Sequence, residues 1–414
     1  VILALQIWMA VLAAVMLMYA VRHLVLTVAR LFSPQRPGYE ALLDGDCPAL
    51  TVLIPMHNEE VVADGVLSAL IASDYPKDRL EIIPIDDHSE DATEAILQRY
   101  AATHPYIRPL HRRSGPRGKP AGLNDALARA SHEIVLVFDA DYQPGRGLLR
   151  ELAMAFADPE VGAVMGRVVP RNTGAGLLTR LLDLERSGGY QVDQQARYTL
   201  DLMPQYGGTV GGFRRSVVLA WGGFDPRVLA EDTDLTVRLY TRGWRVCYAN
   251  RAECYEEAPE VWDVRFRQLR RWARGHTQVM FRHWLRLPTS SYLSPLQKLD
   301  AMLLLGIYLV PPLLLTGLGA SLVLFLTGYI PTWGAVVLSF FTVAYNAFGN
   351  FAPFYQVAAA GLLDGMRERL YLLPFMFFMY LYNSWAVSCG IGDALVDLVG
   401  RRMPQWDKTR RFRR

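Results

Sequence analysis

The run Ile134-Val135-Leu136-Val137-Phe138-Asp139-Ala140-Asp141 sets two carboxylates one residue apart at the end of an apolar stretch. The stretch reads as a buried, parallel strand, and such strands deliver functional groups at their carboxyl ends. Two acids at that lip repel one another unless a cation sits between or beside them. A hard divalent ion held by one or two carboxylates plus substrate phosphates is the usual arrangement for Mg2+ or Mn2+. The same pair would also serve to cap a loop, so its neighbours must decide. Among these are Asp86-Asp87-His88-Ser89, Lys119 inside Gly118–Asn124, and Asp232 inside Ala230–Leu235. A lysine beside glycines suits a diphosphate as a point charge.

The elements that position these groups have an α/β texture from Leu50 onward. Thr51–Pro55 reads as a strand, followed by the turn Met56–Glu60 and a helical run from Val61 to Ala72. Glu81–Ile85 reads as a second strand, and Ser89–Thr93 opens another helix. Strand, polar turn, helix, strand is the pattern of a parallel sheet with its binding groups at the strand ends. The turns after three strands are therefore expected to face one crevice. Asp86 and Asp87, with Asp91, would equally serve as helix N-caps.

Of the 414 residues 51% are hydrophobic, too many for an ordinary soluble enzyme. The excess lies in residues 1–32 and 299–400. Residues 1–21 are long enough to span a bilayer, and Arg22, His23, Arg30 and Arg36 follow them, which marks the cytoplasmic side. A span is preferred to a signal peptide, since no clear small-residue cleavage site follows. The chain opens at Val1 rather than at a methionine, which leaves room for preceding residues. The four cysteines show neither metal-ligand spacing nor a disulfide framework, which suits a reducing cytoplasm. A net charge of +3 gives no argument for nucleic acid.

Gln268, Arg271 and Trp272 stand at i, i+3 and i+4 and share a face if residues 263–285 are helical. Trp262, Phe266, Leu269, Ala273, Met280 and Trp284 form the opposite stripe. With Arg265, Arg267, Arg270, Arg274 and Arg282 around it, this is expected to be an amphipathic helix at the inner membrane surface. Beyond it, residues 299–330, 332–363 and 370–392 are each long enough for a span, with break points at Pro311-Pro312, Gly349-Asn350 and Pro353. A cytoplasmic tail at 401–414 requires an even number of crossings after the α/β region, which three full spans would violate.

Ile54-Pro55-Met56-His57-Asn58-Glu59, Asp86–Ser89, Lys119–Asn124, Asp139-Ala140-Asp141, Gly207-Gly208-Thr209, Glu231-Asp232 and Gln268–Trp272 follow one another in order. This ordered set resembles membrane-embedded family 2 inverting glycosyltransferases, the group of cellulose, hyaluronan and poly-N-acetylglucosamine synthases. The resemblance covers residues 50–290 and, more loosely, the spans and the tail Trp406–Arg410. It implies a GT-A-type α/β domain with a mostly parallel sheet, inserted between transmembrane helices. The expected layout is an N-terminal transmembrane region (1–32), a cytoplasmic catalytic domain (50–261), an interfacial helix region (262–290), C-terminal transmembrane helices (299–400) and a basic cytoplasmic tail (401–414), all at the cell's inner membrane.

The resemblance implies a UDP-sugar donor, with Asp86 and Asp87 near the base, where a carboxylate accepts the uracil imide hydrogen. Asp139 and Asp141 would hold the metal, Mg2+ or Mn2+, on the diphosphate, which Lys119, Gln268 and Arg271 would also contact. Asp232 would act as general base, removing the proton of the acceptor hydroxyl as it attacks the anomeric carbon. Trp272, Gly208, Thr209 and Glu231 are assigned to the acceptor side. Asp234 reads more simply as an acid at a helix N-terminus, and Glu253, Glu256 and Glu257 as solvated loop charges. The expected acceptor is a growing β-linked polysaccharide of glucose or N-acetylglucosamine, threaded through the spans with accessory export or regulatory subunits as partners; the alternative is a membrane lipid that receives one sugar. A catalytically dead channel or binding subunit is disfavoured by the complete acidic set.

Overall fold

The computed structural model describes residues 1–35, 45–329 and 353–400. Strands β1 (Leu50–Met56), β2 (Leu80–Asp87), β3 (Leu110–Arg112) and β4 (Ile134–Val137) pair in parallel and form one half of a sheet. Pairing of Met56 with Asp86 and of Leu53 with Val137 brings the carboxyl ends of β1, β2 and β4 to one edge. The motifs that follow those strands open there, as expected. The other half contains β5 (Gln143–Pro144), β6 (Val161–Pro170), β7 (Gly211–Arg214) and β8 (Arg245–Glu256), and the full order is β3-β2-β1-β4-β7-β6-β8-β5.

The sheet is mixed. β7 runs antiparallel to both β4 and β6, and β5 antiparallel to β8, while β6 and β8 are parallel. Gly211 and Gly212 lie in a strand. A Cβ on Gly211 would fall 2.3 Å from the Val164 carbonyl oxygen, and one on Gly212 2.2 Å from that of Val135. The close approach these glycines permit is to neighbouring backbone.

Alternation along β4 divides the core. Leu136 and Phe138 pack with Leu67, Leu70 and Leu152 on one face, whereas Val135 and Val137 pack with Leu123, Leu127, Phe213 and Leu239 on the other. A third apolar cluster joins the flanking helices, with Leu12, Met16 and Tyr19 against Leu314, Met376 and Tyr380.

Among the described residues, three helices are long and apolar enough to cross a membrane: Ile2–Phe32, Pro295–Leu326 and Arg367–Gly400. The first has 31 residues and runs on past the expected residue 21. At about 1.5 Å per residue it exceeds a hydrocarbon core of about 30 Å, so its last turns extend into the α/β domain. Arg22 and His23 are accordingly buried at 8% and 2% exposure rather than free in solvent. Pro311 and Pro312 open the helix Val310–Leu326 directly after a 3-10 turn at Ile307–Leu309, so the expected break falls where proline is tolerated. The expected span 332–363 is described only from Pro353. There Phe354–Leu363 is a ten-residue apolar helix, with the fully buried Gln356 donating to the Gly188 carbonyl at 3.3 Å. The rest of that span and the 401–414 tail lie outside the described residues.

Candidate active site

A single cavity of about 970 Å3 lies at the edge where β1, β2 and β4 end, near the upper limit for small-molecule sites. Asp87, Lys119, Asp139, Asp141, Glu231, Asp232, Gln268, Arg271 and Trp272 all line it, together with Thr209. Residues from positions 87 to 272 thus meet in one space. Asp86 does not join them. Pleating turns it to the other face of β2, where His111 lies 3.2 Å from its Oδ2 and the Ser89 amide donates to its Oδ1. With Glu94 it completes a trio whose ligand atoms lie within 4.8 Å of one another. Glu94 is already engaged by Arg113 at 2.6 Å.

Asp87 is held by three donors or ring contacts. Arg112 donates to its Oδ1, His88 Nδ1 is 2.8 Å from the same oxygen, and the Gly118 amide donates to Oδ2 at 2.7 Å. A carboxylate has about four lone-pair sites, so room for a further hydrogen bond remains.

Lys119 opens the helix Lys119–Arg129 and reaches Asp139 Oδ1 at 2.8 Å, the Gly208 carbonyl at 2.9 Å and Glu231 at 3.7 Å. Burial by itself would lower the ammonium, but Asp139 and Glu231 outweigh it and hold the group above its ordinary range. The Asp139 amide donates to Thr209 Oγ1 at 3.0 Å. Gly208 has φ +73° and abuts Asp232, with its missing Cβ 3.1 Å from that side chain. Val210, next but one, adopts φ +49°, a conformation β-branched residues rarely take, so this loop is strained where it ties Asp139 to Asp232. Gly208 and Thr209 were expected beside the acceptor. Their hydrogen bonds join them to the lysine and to Asp139.

Glu231, Asp232 and Asp234 occupy the first turn of the helix Glu231–Tyr240. Burial, opposed by Lys119 and reinforced by Asp232, pushes the Glu231 carboxyl up to about 7. Asp232 Oδ1 accepts from the Thr233 amide at 2.6 Å, and Thr233 Oγ1 lies 3.1 Å from His276 Nδ1. The His276 imidazole is lowered by burial, against the pull of Asp232, and stacks on Tyr308 with ring centroids 4.6 Å apart.

The helix Trp262–His283 carries Gln268, Arg271 and Trp272 into the cavity as the spacing predicts. It is not a bare anchor on a membrane surface. Its arginines are pinned to protein: Arg265 to Glu185 at 2.5 Å, Arg270 to Asp393 at 2.6 Å, Arg274 to Asp397 at 2.5 Å and Arg282 to Asp225 at 2.9 Å. The Trp272 ring carries the guanidinium groups of Arg186 and Arg265, centred 5.2 and 5.6 Å from its centroid. An open face for a sugar is therefore not what this ring chiefly offers. Gln268 accepts from Arg265 at 3.0 Å. Asp234 is the expected helix-start acid and also meets His283 at 2.7 Å.

Several cavity residues carried no sequence signal. Glu256, read as a solvated loop charge, is buried at the end of β8, where Arg186 and the Tyr142 hydroxyl donate to it at 2.7 and 2.8 Å. Glu253 matches its expectation better, being 38% exposed beside Arg167. Arg186 leads into a π-helical turn, Gly188–Gln194, that brings Tyr190, Asp193 and Gln194 to the cavity. Such turns recur at functional sites, but composition does not announce one.

Asp139 and Asp141 fit a hard cation. Both are oxygen donors on the cavity wall, and Asp139 Oδ2 has no partner among the described residues while Oδ1 holds Lys119. Phosphate oxygens would complete such a set.

A GT-A-like α/β domain with an acid-lined cleft at the carboxyl ends of its strands is the class these features define. The family model "Glycosyltransferase like family 2" matches residues 48–275. The chain belongs to glycosyltransferase family 2. It is 35% identical over 240 residues to the probable glycosyltransferase YdaM of Bacillus subtilis (strain 168), covering 57% of this chain and 57% of that one. It is 31% identical over 256 residues to the beta-monoglucosyldiacylglycerol synthase of Synechocystis sp., covering 59% of this chain and 52% of that one. The alignments thus span about half the length of these curated relatives. The structure of the mannosyltransferase PcManGT from Pyrobaculum calidifontis, solved with GDP-Man and Mn2+, superposes with a TM-score of 0.66 at 23% identity. The match covers 96% of this chain and 99% of that one and extends the shared fold to the flanking helices.

Proposed function

We propose that the protein transfers one sugar, with inversion, from a UDP-sugar to a hydroxyl of a membrane lipid, its α/β domain lying on the cytoplasmic side of the cell membrane. The observation that carries this reading is the continuity of the cavity wall. It runs from Asp87, Lys119, Asp139 and Asp141 past Asp232 to Leu304, Ile307 and Tyr308, on a helix apolar enough to cross a bilayer. The acceptor end therefore abuts a helix that lipid would surround. Beyond it, among the described residues, Ile307 and Tyr308 pack into a continuous apolar cluster with Leu12, Leu314 and Met376. Apolar packing beside the acceptor end suits a lipid acceptor. The relative named for a glucosyl-diacylglycerol product supports the same choice.

Asp87 accepts the uracil imide hydrogen with its remaining lone pair. Lys119, Gln268 and Arg271 orient the diphosphate. A divalent cation at Asp139 and Asp141 would neutralise the charge that develops on the leaving diphosphate. Asp232 takes the acceptor proton as the hydroxyl oxygen bonds to the anomeric carbon, and the carbon–oxygen bond to phosphate breaks with its electron pair leaving on UDP. An α-linked donor gives a β-linked product. Glucose and N-acetylglucosamine are the donors to compare.

The test supplies radiolabelled UDP-glucose or UDP-N-acetylglucosamine to protein in nanodiscs containing dioleoylglycerol, with products resolved by thin-layer chromatography. A one-sugar lipid spot is expected. Label retained at the origin as polymer would replace the lipid reading with a processive synthase, and no transfer from either donor would overturn both.

A further inference from the structure

Beside Asp232 the cavity wall carries two polar side chains that the chemistry above does not use, His276 and Tyr308. Two hydrogen bonds tie the imidazole to the base: the Thr233 amide donates to Asp232 Oδ1 at 2.6 Å, and Thr233 Oγ1 lies 3.1 Å from His276 Nδ1. The Thr233 hydroxyl, only 2% exposed, has no other acceptor among the described residues, so it donates to Nδ1 and the ring hydrogen sits on Nε2. Burial lowers the imidazole against the pull of Asp232, so the ring is neutral. Among the described residues, Nε2, the Tyr308 hydroxyl and Asp232 Oδ2 make no hydrogen bond. None of the three belongs to the polar atoms shut inside the protein without a partner, so each is open to the cavity it lines. The two rings are stacked, with centroids 4.6 Å apart and planes 16° from parallel, which keeps both donors on one stretch of wall. A tyrosine hydroxyl in so buried a side chain ordinarily finds a partner.

We infer that His276 and Tyr308 are acceptor-binding residues that donate to an uncharged oxygen beside the attacking hydroxyl. The acceptor is then an alcohol with an ester or hydroxyl oxygen on the adjacent carbon, as in a diacylglycerol, rather than an isolated fatty alcohol. The inference deepens the proposed function and rests on its lipid reading. Ionised Asp232 only accepts, so it meets the hydrogen of the attacking hydroxyl. Nε2–H only donates, and the Tyr308 hydroxyl turns to do the same, so this pair meets the lone pairs of a second oxygen. Lys119 and Arg271, on the same cavity wall, bring the charge that a diphosphate needs. The neutral pair suits an ester or hydroxyl oxygen, which brings no charge to be matched. Tyr308 also belongs to the stretch Pro295–Leu326, apolar enough to cross a bilayer, which puts the pair at the end of the cavity that lipid reaches.

The experiment measures kcat/KM for dioleoylglycerol and for oleyl alcohol in mixed micelles, together with the donor KM, for wild type, Tyr308→Phe and His276→Phe. The donor is UDP-glucose or UDP-N-acetylglucosamine, whichever wild type transfers, with Mn2+ present. Tyr308→Phe deletes one hydroxyl and keeps the packed ring, so it guards against a folding defect. Wild type is expected to favour dioleoylglycerol over oleyl alcohol at least tenfold. Each variant should lose roughly tenfold of that preference, the worth of one hydrogen bond, with the donor KM retained. Equal use of the two alcohols by wild type overturns the inference, as does a preference unchanged in Tyr308→Phe. A rise in donor KM as large as the loss on dioleoylglycerol also overturns it, since the pair would then serve the donor. These outcomes all presuppose a glycolipid product from wild type; its absence with both alcohols would overturn the lipid reading and the inference with it.

Discussion

Glu231 and Asp232 are neighbours at the start of one helix, yet only Glu231 lies within reach of Lys119, at 3.7 Å. Asp232 faces the part of the cavity shared with His276 and Tyr308, where an acceptor hydroxyl would arrive. Asp232→Asn keeps the shape and removes the base, so kcat should fall roughly a hundredfold or more while the donor KM changes little. Steady-state kinetics check this. Glu231 makes a different prediction. Its carboxyl titrates at about 7 when folded and near 4.5 otherwise, so the folded chain takes up a proton between those values. The penalty for ionising it is absent below about pH 4.5, grows as pH rises toward 7 and is fully present above it. In chelator-treated protein the melting temperature of Glu231→Gln should therefore match wild type near about pH 5 and exceed it near about pH 8. A constant gap would contradict the shift. Lys119, Asp139, Asp141 and Asp232 were legible because each is a charged group at the end or start of a regular element. Glu256 was not, since its partners Arg186 and Tyr142 lie 70 and 114 positions away.

At the scale of elements, the helix Trp262–His283 was legible from its periodicity, but its surroundings were not. Arginines around an apolar stripe suit a lipid surface, and only the fold reveals that Asp393 and Asp397, 123 residues onward, neutralise Arg270 and Arg274. The three-dimensional pairing of charges leaves no periodic trace. The mixed sheet escaped notice for a related reason. Gly211 and Gly212 signal close approach, but whether to ligand or to strand is decided by where the chain returns. Arg265 and Glu185 are each about 1% exposed, so Arg265→Ala strands a buried carboxylate and should cost about 3–5 kcal/mol in detergent-based unfolding. The half-exposed Arg270→Ala should cost under about 1 kcal/mol. Gly390 lets the last apolar helix touch this one, with a Cβ there falling 2.3 Å from the Arg270 carbonyl oxygen. Gly390→Ala should destabilise by about 1–3 kcal/mol through overpacking, and the same unfolding assay would show it.

For the whole molecule, the arrangement is a soluble-type α/β domain whose cavity floor is built by helices apolar enough for a bilayer. Helices apolar enough for a bilayer were legible from composition alone, and the α/β repeat from strand-turn-helix punctuation. Their meeting at Arg22 was not, because a cation after an apolar run has the same appearance whether it faces water or a buried acid. If a divalent ion bridges Asp139, Asp141 and the diphosphate, chelation should abolish transfer, and Mn2+ or Mg2+ should restore it to wild type but not to Asp141→Asn. The most direct single measurement is transfer of labelled sugar from UDP-glucose or UDP-N-acetylglucosamine to dioleoylglycerol in nanodiscs by wild type and Asp232→Asn, under saturating donor and Mn2+. The expected result is a β-linked one-sugar lipid from wild type and almost none from the variant at matched UDP binding. Equal product from both, or an α-linked product from wild type, would contradict an inverting transfer prepared by Asp232 at the bilayer.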